Sequence, residues 1–444
     1  MNSIAQRIRR IVPAAIKGQV VTTNGMCVTV EGFPAPVGSL CDIHTSNGDV
    51  VQAEVVRFRN HETLVMPYAD MQGIQRGAVV ELRRSVPITR VGNGLIGRVI
   101  NAHGQIIDGL PIPQRPDIVD GSSSTPAPMS RPRIDKAICT GVRAIDGILT
   151  CGYGQRMGIF AASGLGKSSL IGQLARSVES DLNVIVLVGE RGREVREFLE
   201  RELGPNGLAR SIVVVATSDE PAVVRMRAAT LGTAIAEYFR DAGRNVTLFV
   251  DSITRVASAQ RDIGLGTGEP PATQGYPASV FSVLPKLLER SGCSERGQIT
   301  AFYSVLTDGD DNNDPIAECV RGILDGHIVL SRRLAEQSHW PAIDITASIS
   351  RSMMDVADVA HRKLADRLRE LMAQFRSAED LLSIGAIKPG NDVRTDEAIA
   401  RIADINEFLQ QTTTETCSHD ETLRRLNHAV TGSIANPLQV GPGE

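Results

Sequence analysis

The chain has 444 residues, 42% hydrophobic and 22% charged, a globular composition long enough for two or three domains and at least one sizeable core. Its 47 basic and 51 acidic side chains leave a net charge of -4, which excludes a sequence-wide field that recruits nucleic acid, although a local basic groove stays open. Seven scattered cysteines, with no C-x-x-C pair and no histidines at zinc-ligand spacing, read as buried reduced thiols.

At the start of the chain Ile4, Ile8 and Ile11 form a helical stripe beside Arg7, Arg9, Arg10 and Lys17, until Pro13 interrupts it. Two turns of helix are marginal alone, so a docking stripe for a regulator or anionic lipid and a solvated arm fit equally well. The apolar run of a signal peptide is missing, and so is any uncharged apolar stretch of about 18 residues. The expectation is a soluble, cytoplasmic protein.

Residues 18–85 read as short strands. Asn24-Gly25 and Asn47-Gly48 lie between runs such as VVTT and CVTV, as type I′ hairpin turns require, and suggest a small β-barrel. Residues 109–133 are rich in Pro and Ser, the composition of an extended linker or a long surface loop. From about 156 to 350, β-branched apolar runs (RMGIF, NVIVLV, SIVVVA, NVTLFV, QITAFYSVL, HIVLS) alternate with amphipathic stretches such as REVREFLERE. Such alternation predicts an α/β fold with a mostly parallel sheet covered on both faces. Beyond 361, Leu364, Leu368, Leu371 and Phe375 line one stripe of a helix, and DEAIARIADINEFLQQ follows as another after the IKPGND turn, so the C-terminal part is helical.

The chemistry sits in the α/β region. After the strand RMGIFA comes ASGLGKSSLIGQLARSV, where Gly164 and Gly166 let backbone N–H groups from Ser163 to Ser169, Leu165 among them, converge on phosphate oxygens at a helix N-terminus. Lys167 adds a point charge and Ser168 a hydroxyl for Mg²⁺. The pattern G-x-x-x-x-G-K-[ST] is broken at its first position by Ala161; the flanking strand and helix carry the assignment to a phosphate loop for ATP. Asp251 ends NVTLFVD, where a carboxylate holds Mg²⁺ or its water, although alone it reads equally as a helix N-cap. Glu190 ends NVIVLVGE at the carboxyl edge of the sheet and is the candidate base for an attacking water. On its own it reads equally as a helix-start glutamate paired with Arg191 or Arg193.

Together with QRDIGLGTGEPPATQGYPASVFSVLPKLLERSG at 260–292 and GDDNNDPIAECVRGILDGHIVLSRRLAEQSHWPAIDITASISR at 309–351, these strings resemble the type III protein-export ATPases of bacterial flagella and injectisomes. That family is similar in turn to the catalytic subunit of rotary ATP synthases. The wording of DDNNDPIA and LSRRLAEQSHWPAIDI is nearer the flagellar branch. The resemblance implies a short N-terminal arm and β-barrel over 1–85, a RecA-like ATPase core over 86–360 and a helical domain over 361–444, six copies forming a ring. It implies that Lys167 and Ser168 serve the phosphates and metal, Glu190 is the catalytic glutamate with Arg191 beside it, and Asp251 is the Walker B aspartate. It also implies that Arg351 is an arginine finger for the neighbouring subunit. Trp340 departs from the tyrosine that usually packs on adenine there; its larger face can still stack, and a plain core aromatic is the competing reading.

The implied cofactor is Mg²⁺ with ATP as substrate. The implied partners are a stator-like regulator, a central stalk protein, export substrates with their chaperones, and an export gate at the inner membrane, without nucleic acid. The Gly/Pro-rich stretch from Gly264 to Pro277 corresponds to a loop facing the ring's pore. Three rivals remain: a rotary β subunit, which the strings GERGREVREF and QGYPASVF argue against; a Rho-type RNA translocase, for which the barrel region lacks a basic-aromatic track; and a non-catalytic ring subunit, which the presence of both Lys167 and Glu190 argues against.

Overall fold

The computed structural model describes residues 16–85, 88–111, 117–120, 126–307, 314–383 and 392–432, so the stripe of Ile4, Ile8 and Ile11 and most of GDDNND lie outside the described residues. Six strands, β1 (Lys17–Asn24), β2 (Cys27–Glu31), β3 (Leu40–His44), β4 (Val50–Arg59), β5 (Glu62–Pro67) and β6 (Val79–Arg84), close into a barrel in the order β1-β2-β5-β4-β3-β6. Alternate residues point inward, and Val20, Val28, Val30, Ile43, Val55 and Val80 fill the interior.

Both predicted hairpins form, but neither turn is the predicted type. Asn24 pairs with Cys27 in the ladder, leaving Gly25 and Met26 as the turn; only Gly25 has a positive φ, 56°, whereas a type I′ turn needs two. In the second, five residues link paired His44 and Val50, the Gly48 N–H donates to the Thr45 carbonyl at 3.2 Å, and Gly48 takes φ 86°. The inward alternation of the valines sets the register, and the register decides which residues are left over for the turn.

The Pro/Ser-rich stretch is more structured than a linker. Its Asp117–Asp120 (β9) pairs antiparallel with Ile88–Val91 (β7), two β-branched residues in DIVD sufficing between the flanking prolines. Further on, Arg131 ties the segment to the core, donating to the Glu289 carbonyl at 2.7 Å.

The central sheet has nine strands. Its main path runs β17 (Ile349–Ser350), β16 (Gly326–Val329), β10 (Arg156–Ala161), β15 (Gln298–Leu306), β13 (Asn245–Asp251), β11 (Leu182–Glu190), β12 (Ser211–Thr217) and β8 (Arg98–Asn101), with β14 (Gly292–Cys293) beside β15. All are parallel except β14 and β17. The six predicted strands are all present, while β8, a four-residue edge strand between glycine-rich turns, extends the sheet ahead of them.

Side chains alternate between two apolar layers. Ile159, Ile185, Leu187 and Phe249 face α1 (Arg143–Ile148) and α2 (Lys167–Ser177), whereas Val184, Val186, Leu248 and Val250 face α4 (Ala222–Asp241) and α5 (Ile253–Gly266). Between these pairs, α3 (Gly192–Glu197) follows β11 and runs on through a π-helical turn, Phe198–Leu203. The first layer continues into the C-terminal helices α6 (Val359–Ser383), α7 (Val393–Leu409) and α8 (His419–Thr431), which contribute Leu368, Leu371, Phe408 and Leu426. The predicted stripe of α6 is this buried face. The barrel docks on the core through Arg227 of α4, which donates to the Ala102 carbonyl at 3.2 Å and to Tyr68 Oη at 3.4 Å, while Tyr68 donates to Glu54 at 2.6 Å. Among the described residues no helix is long and apolar enough to cross a membrane.

Candidate functional site

The phosphate loop spans the end of β10 and the start of α2. Ala161, where the pattern asks for glycine, is a buried strand residue paired with Leu306 of β15, a position with no need of glycine's freedom. The glycines that matter are Gly164 and Gly166, at φ 82° and 78°; a side chain at either is strained, and at Gly166 a Cβ would also lie 2.9 Å from the Trp340 ring. Ser163, Gly164 and Ser168 are exposed at the loop's mouth, whereas Leu165 is buried and anchors the loop to the core. The Ser169 hydroxyl is already engaged, donating to Glu202 in the π-helical turn at 2.9 Å, which leaves its backbone N–H for a ligand.

Three strands deliver the remaining groups. Lys167 Nζ hydrogen-bonds Asp251 Oδ1 and lies 3.9 Å from Glu190 Oε1. Asp251, 3% exposed at the end of β13, also accepts from Ser304 of β15 at 2.7 Å. The N-cap of α5 is Ser252, which leaves the Asp251 carboxylate to the lysine and the serine. Glu190 stands at the end of β11 beyond a ladder irregularity at Gly189 (φ 68°), and a Cβ there would press on Arg255 at 3.2 Å. Burial, and next the Asp251 carboxylate, push the Glu190 carboxyl up to about 7, against the opposing pull of Lys167 and Arg255. Its buried Oε1 has no hydrogen-bond partner among the described residues.

This donor set fits Mg²⁺ with a triphosphate. Such an ion takes one or two protein oxygens, for which the Ser168 hydroxyl and the Asp251 carboxylate would be available, and its other ligands would come from phosphates and water. An acceptor left unpaired in a buried site is what an ordered water would satisfy.

Next to the loop opens a pocket walled by Leu170, Leu330, Trp340, Ala342, Gln411 and Thr413. Trp340 is 41% exposed, so it is a pocket wall and not a core aromatic. Arg191 and Arg351 are not part of the cluster. Arg191 is carried outward, its side chain 78% exposed and 3.6 Å from Glu194. Arg351 is exposed beyond β17; its N–H donates to Asp325, whose own N–H donates to Arg156 at the first residue of β10. The loop leaves from the last residue of β10, so Arg351 stands at the opposite edge of the sheet, roughly 17 Å away along the strand. Ser304, Arg255, Glu202 and Gln411 went unnoticed in the sequence. None has a local motif, and only strand register or the fold of the C-terminal segment brings them in.

Family models match three consecutive regions. The ATP synthase alpha/beta family supplies a β-barrel domain over residues 20–83 and a nucleotide-binding domain over 141–350, and the T3SS EscN ATPase C-terminal domain covers 357–428. Among curated proteins the chain is similar to the flagellum-specific ATP synthase of Bacillus subtilis (strain 168), 50% identical over 94% of this chain and 95% of that one. It is similar also to the type 3 secretion system ATPase of Xanthomonas euvesicatoria, 48% identical over 92% and 93%. Among solved structures it is similar to the assembled ATPase EscN of the enteropathogenic E. coli type III secretion system, with a TM-score of 0.89 and 43% identity over 93% of this chain and 100% of that one. EscN in complex with its central stalk EscO gives a TM-score of 0.86 at 41% identity over the same shares.

Proposed function

Because the chain belongs to the flagellar and type III secretion ATPases, a branch of the ATP synthase alpha/beta family, we propose that it hydrolyses Mg-ATP to energise type III protein export, six copies forming a ring with sites at subunit interfaces. The observation that carries this reading is the meeting of Lys167, Asp251 and Glu190 below the phosphate loop, with one buried carboxylate oxygen of Glu190 lacking a hydrogen-bond partner.

Ser168 and Asp251 would hold Mg²⁺, which when bound would offset negative charge on the phosphates. Lys167, set against Asp251 and Glu190, serves the phosphates, and backbone N–H groups of the loop cradle them. Glu190 orients the attacking water in line with the γ-phosphate and accepts its proton, a task suited to a carboxyl poised near neutrality. Trp340 stacks on the base from across Gly166. Arg351, too far from its own subunit's loop, meets transition-state charge in the neighbour's site, and Arg191 stands next to the catalytic Glu190.

A central stalk protein inside the ring is the partner proposed by likeness to the EscN complex; a stator-like regulator, chaperones with their substrates and an export gate at the membrane complete the assembly. The rotary β-subunit reading loses ground to the match over 357–428. The decisive variant is Glu190→Gln. MgATP binding should persist while phosphate release falls about 100-fold or more; turnover at the wild-type rate would take Glu190 out of the mechanism.

A further inference from the structure

Part of the base pocket is built by the C-terminal domain, from the segment Gln410–Cys417 between α7 and α8. A helix end leaves its last carbonyls without intrahelical partners. Those at the end of α7 converge on Arg143, the first residue of α1, which is 2% exposed. Its guanidinium donates to the carbonyls of Phe408 at 2.8 Å, Glu407 at 3.4 Å and Gln410, and pairs with the carboxylate of Glu415. A planar fork with five donors suits this convergence, and a basic group there also complements the helix dipole.

The same segment is bracketed on its other sides. The Gln411 side chain accepts from the Arg143 N–H at 2.9 Å and donates to the Gly141 carbonyl at 2.8 Å, while the Gln411 N–H donates to the Trp340 carbonyl at 2.8 Å. From the phosphate-loop helix α2, Gln173 donates to the carbonyls of Thr412 and Glu415, both at 3.2 Å, and Arg176 to that of Thr413 at 2.6 Å. The wall of the pocket, the aromatic facing it and the helix behind the phosphate loop are thus tied into one body whose central knot is Arg143.

We propose that Arg143 is a positioning residue for the nucleotide: by gathering the end of α7 and Glu415 around one buried guanidinium, it holds the Gln411–Thr413 wall in place and sets nucleotide affinity without touching nucleotide. This rests on the reading of the pocket as an ATP site. Without the guanidinium, three carbonyls, that of buried Phe408 among them, lose their donor and the wall is free to part from Trp340. The chemistry below the phosphate loop is not reached, so affinity and turnover should separate.

Trp340, the chain's sole tryptophan, supplies a direct readout. In the full-length chain, MgATP is titrated by Trp340 fluorescence and phosphate release is measured in parallel. Arg143→Ala should weaken MgATP binding and raise KM about 10-fold while kcat stays within about 2-fold, and Arg143→Lys should recover part of the affinity. Glu415→Gln, which leaves the guanidinium in place, should raise KM about 3-fold and decides alone if Arg143→Ala fails to fold. Unchanged affinity in a folded Arg143→Ala or in Glu415→Gln, or a fall in kcat at constant KM, overturns the proposal. If the wild type itself binds no MgATP, the ATP reading fails instead. The hold of Arg143 on the wall is then read separately from Trp340 emission without nucleotide, which Arg143→Ala should shift; an unchanged emission overturns it.

Discussion

A glutamate whose carboxyl titrates at about 7 spends part of the physiological range as an acid, and only its ionised form can accept a proton. For Glu190 as the base, kcat/KM should fall about 10-fold per pH unit on the acid side of that value; a flat profile down to pH ~5.5 would contradict the assignment. The linkage runs against stability. The folded chain retains a proton that a free carboxyl, with its ordinary value of 4.5, has released, so Glu190's contribution to folding declines as pH rises from 4.5 to about 7. Ionised, with Lys167 only at 3.9 Å and one oxygen without a hydrogen bond, the base is a cost that function retains. Trp340 makes a simpler demand: base–aromatic stacking contributes about 1–3 kcal/mol, so Trp340→Ala should raise the MgATP dissociation constant roughly 5- to 150-fold, while Trp340→Tyr should stay near the wild type. Equilibrium binding of a labelled nucleotide measures both, and equal affinity in the alanine variant would return Trp340 to a packing role.

At the scale of elements, α6 meets the core through His361, 3% exposed, whose Nε2 lies 2.8 Å from the Gly147 carbonyl and whose ring sits 5.7 Å from that of His419 at the start of α8. Burial holds its pKa below 6.5, helped by His419 and opposed by the Gly147 carbonyl and Asp358. A depressed histidine is neutral when folded and takes a proton when unfolded, so stability is lost as pH falls below 6.5. His361 should therefore pull the melting temperature down between pH ~7.5 and ~5.5, opposite in sign to Glu190, and the His361→Gln variant should fall less or rise more than the wild type over that range; the same change in both excludes the histidine effect. Six strands of the sheet and the stripe of α6 were legible in the sequence because continuous β-branched runs and a repeat near 3.6 reflect burial directly, whereas the short β8, β14 and β17 were not. The phosphate loop was legible because backbone conformation at Gly164 and Gly166 is written in the residue type. Turn geometry at Gly25 and Gly48 was not, since register is set by partners elsewhere in the barrel. Arg143, Ser304 and Gln411 were equally silent: each acts across a large sequence separation, and no local pattern encodes what the fold later places beside it.

For the whole molecule, Arg351 stands at the sheet edge away from the phosphate loop, so its proposed role as a finger would divide each site between two copies. Lys167→Ala and Arg351→Ala chains should each be inactive alone, yet a mixture should recover activity, with about a quarter of the sites competent in randomly assembled 1:1 rings. No recovery at any ratio would place the finger elsewhere. The barrel adds a consequence of its own, because β1 pairs with both β2 and β6 and the cylinder has no loose seam. Where copies crowd shoulder to shoulder, an unpaired strand invites its neighbour to zip onto it and fuse. A sealed cylinder offers no such zipper, so copies meeting barrel to barrel would touch through side chains alone, without strand fusing to strand.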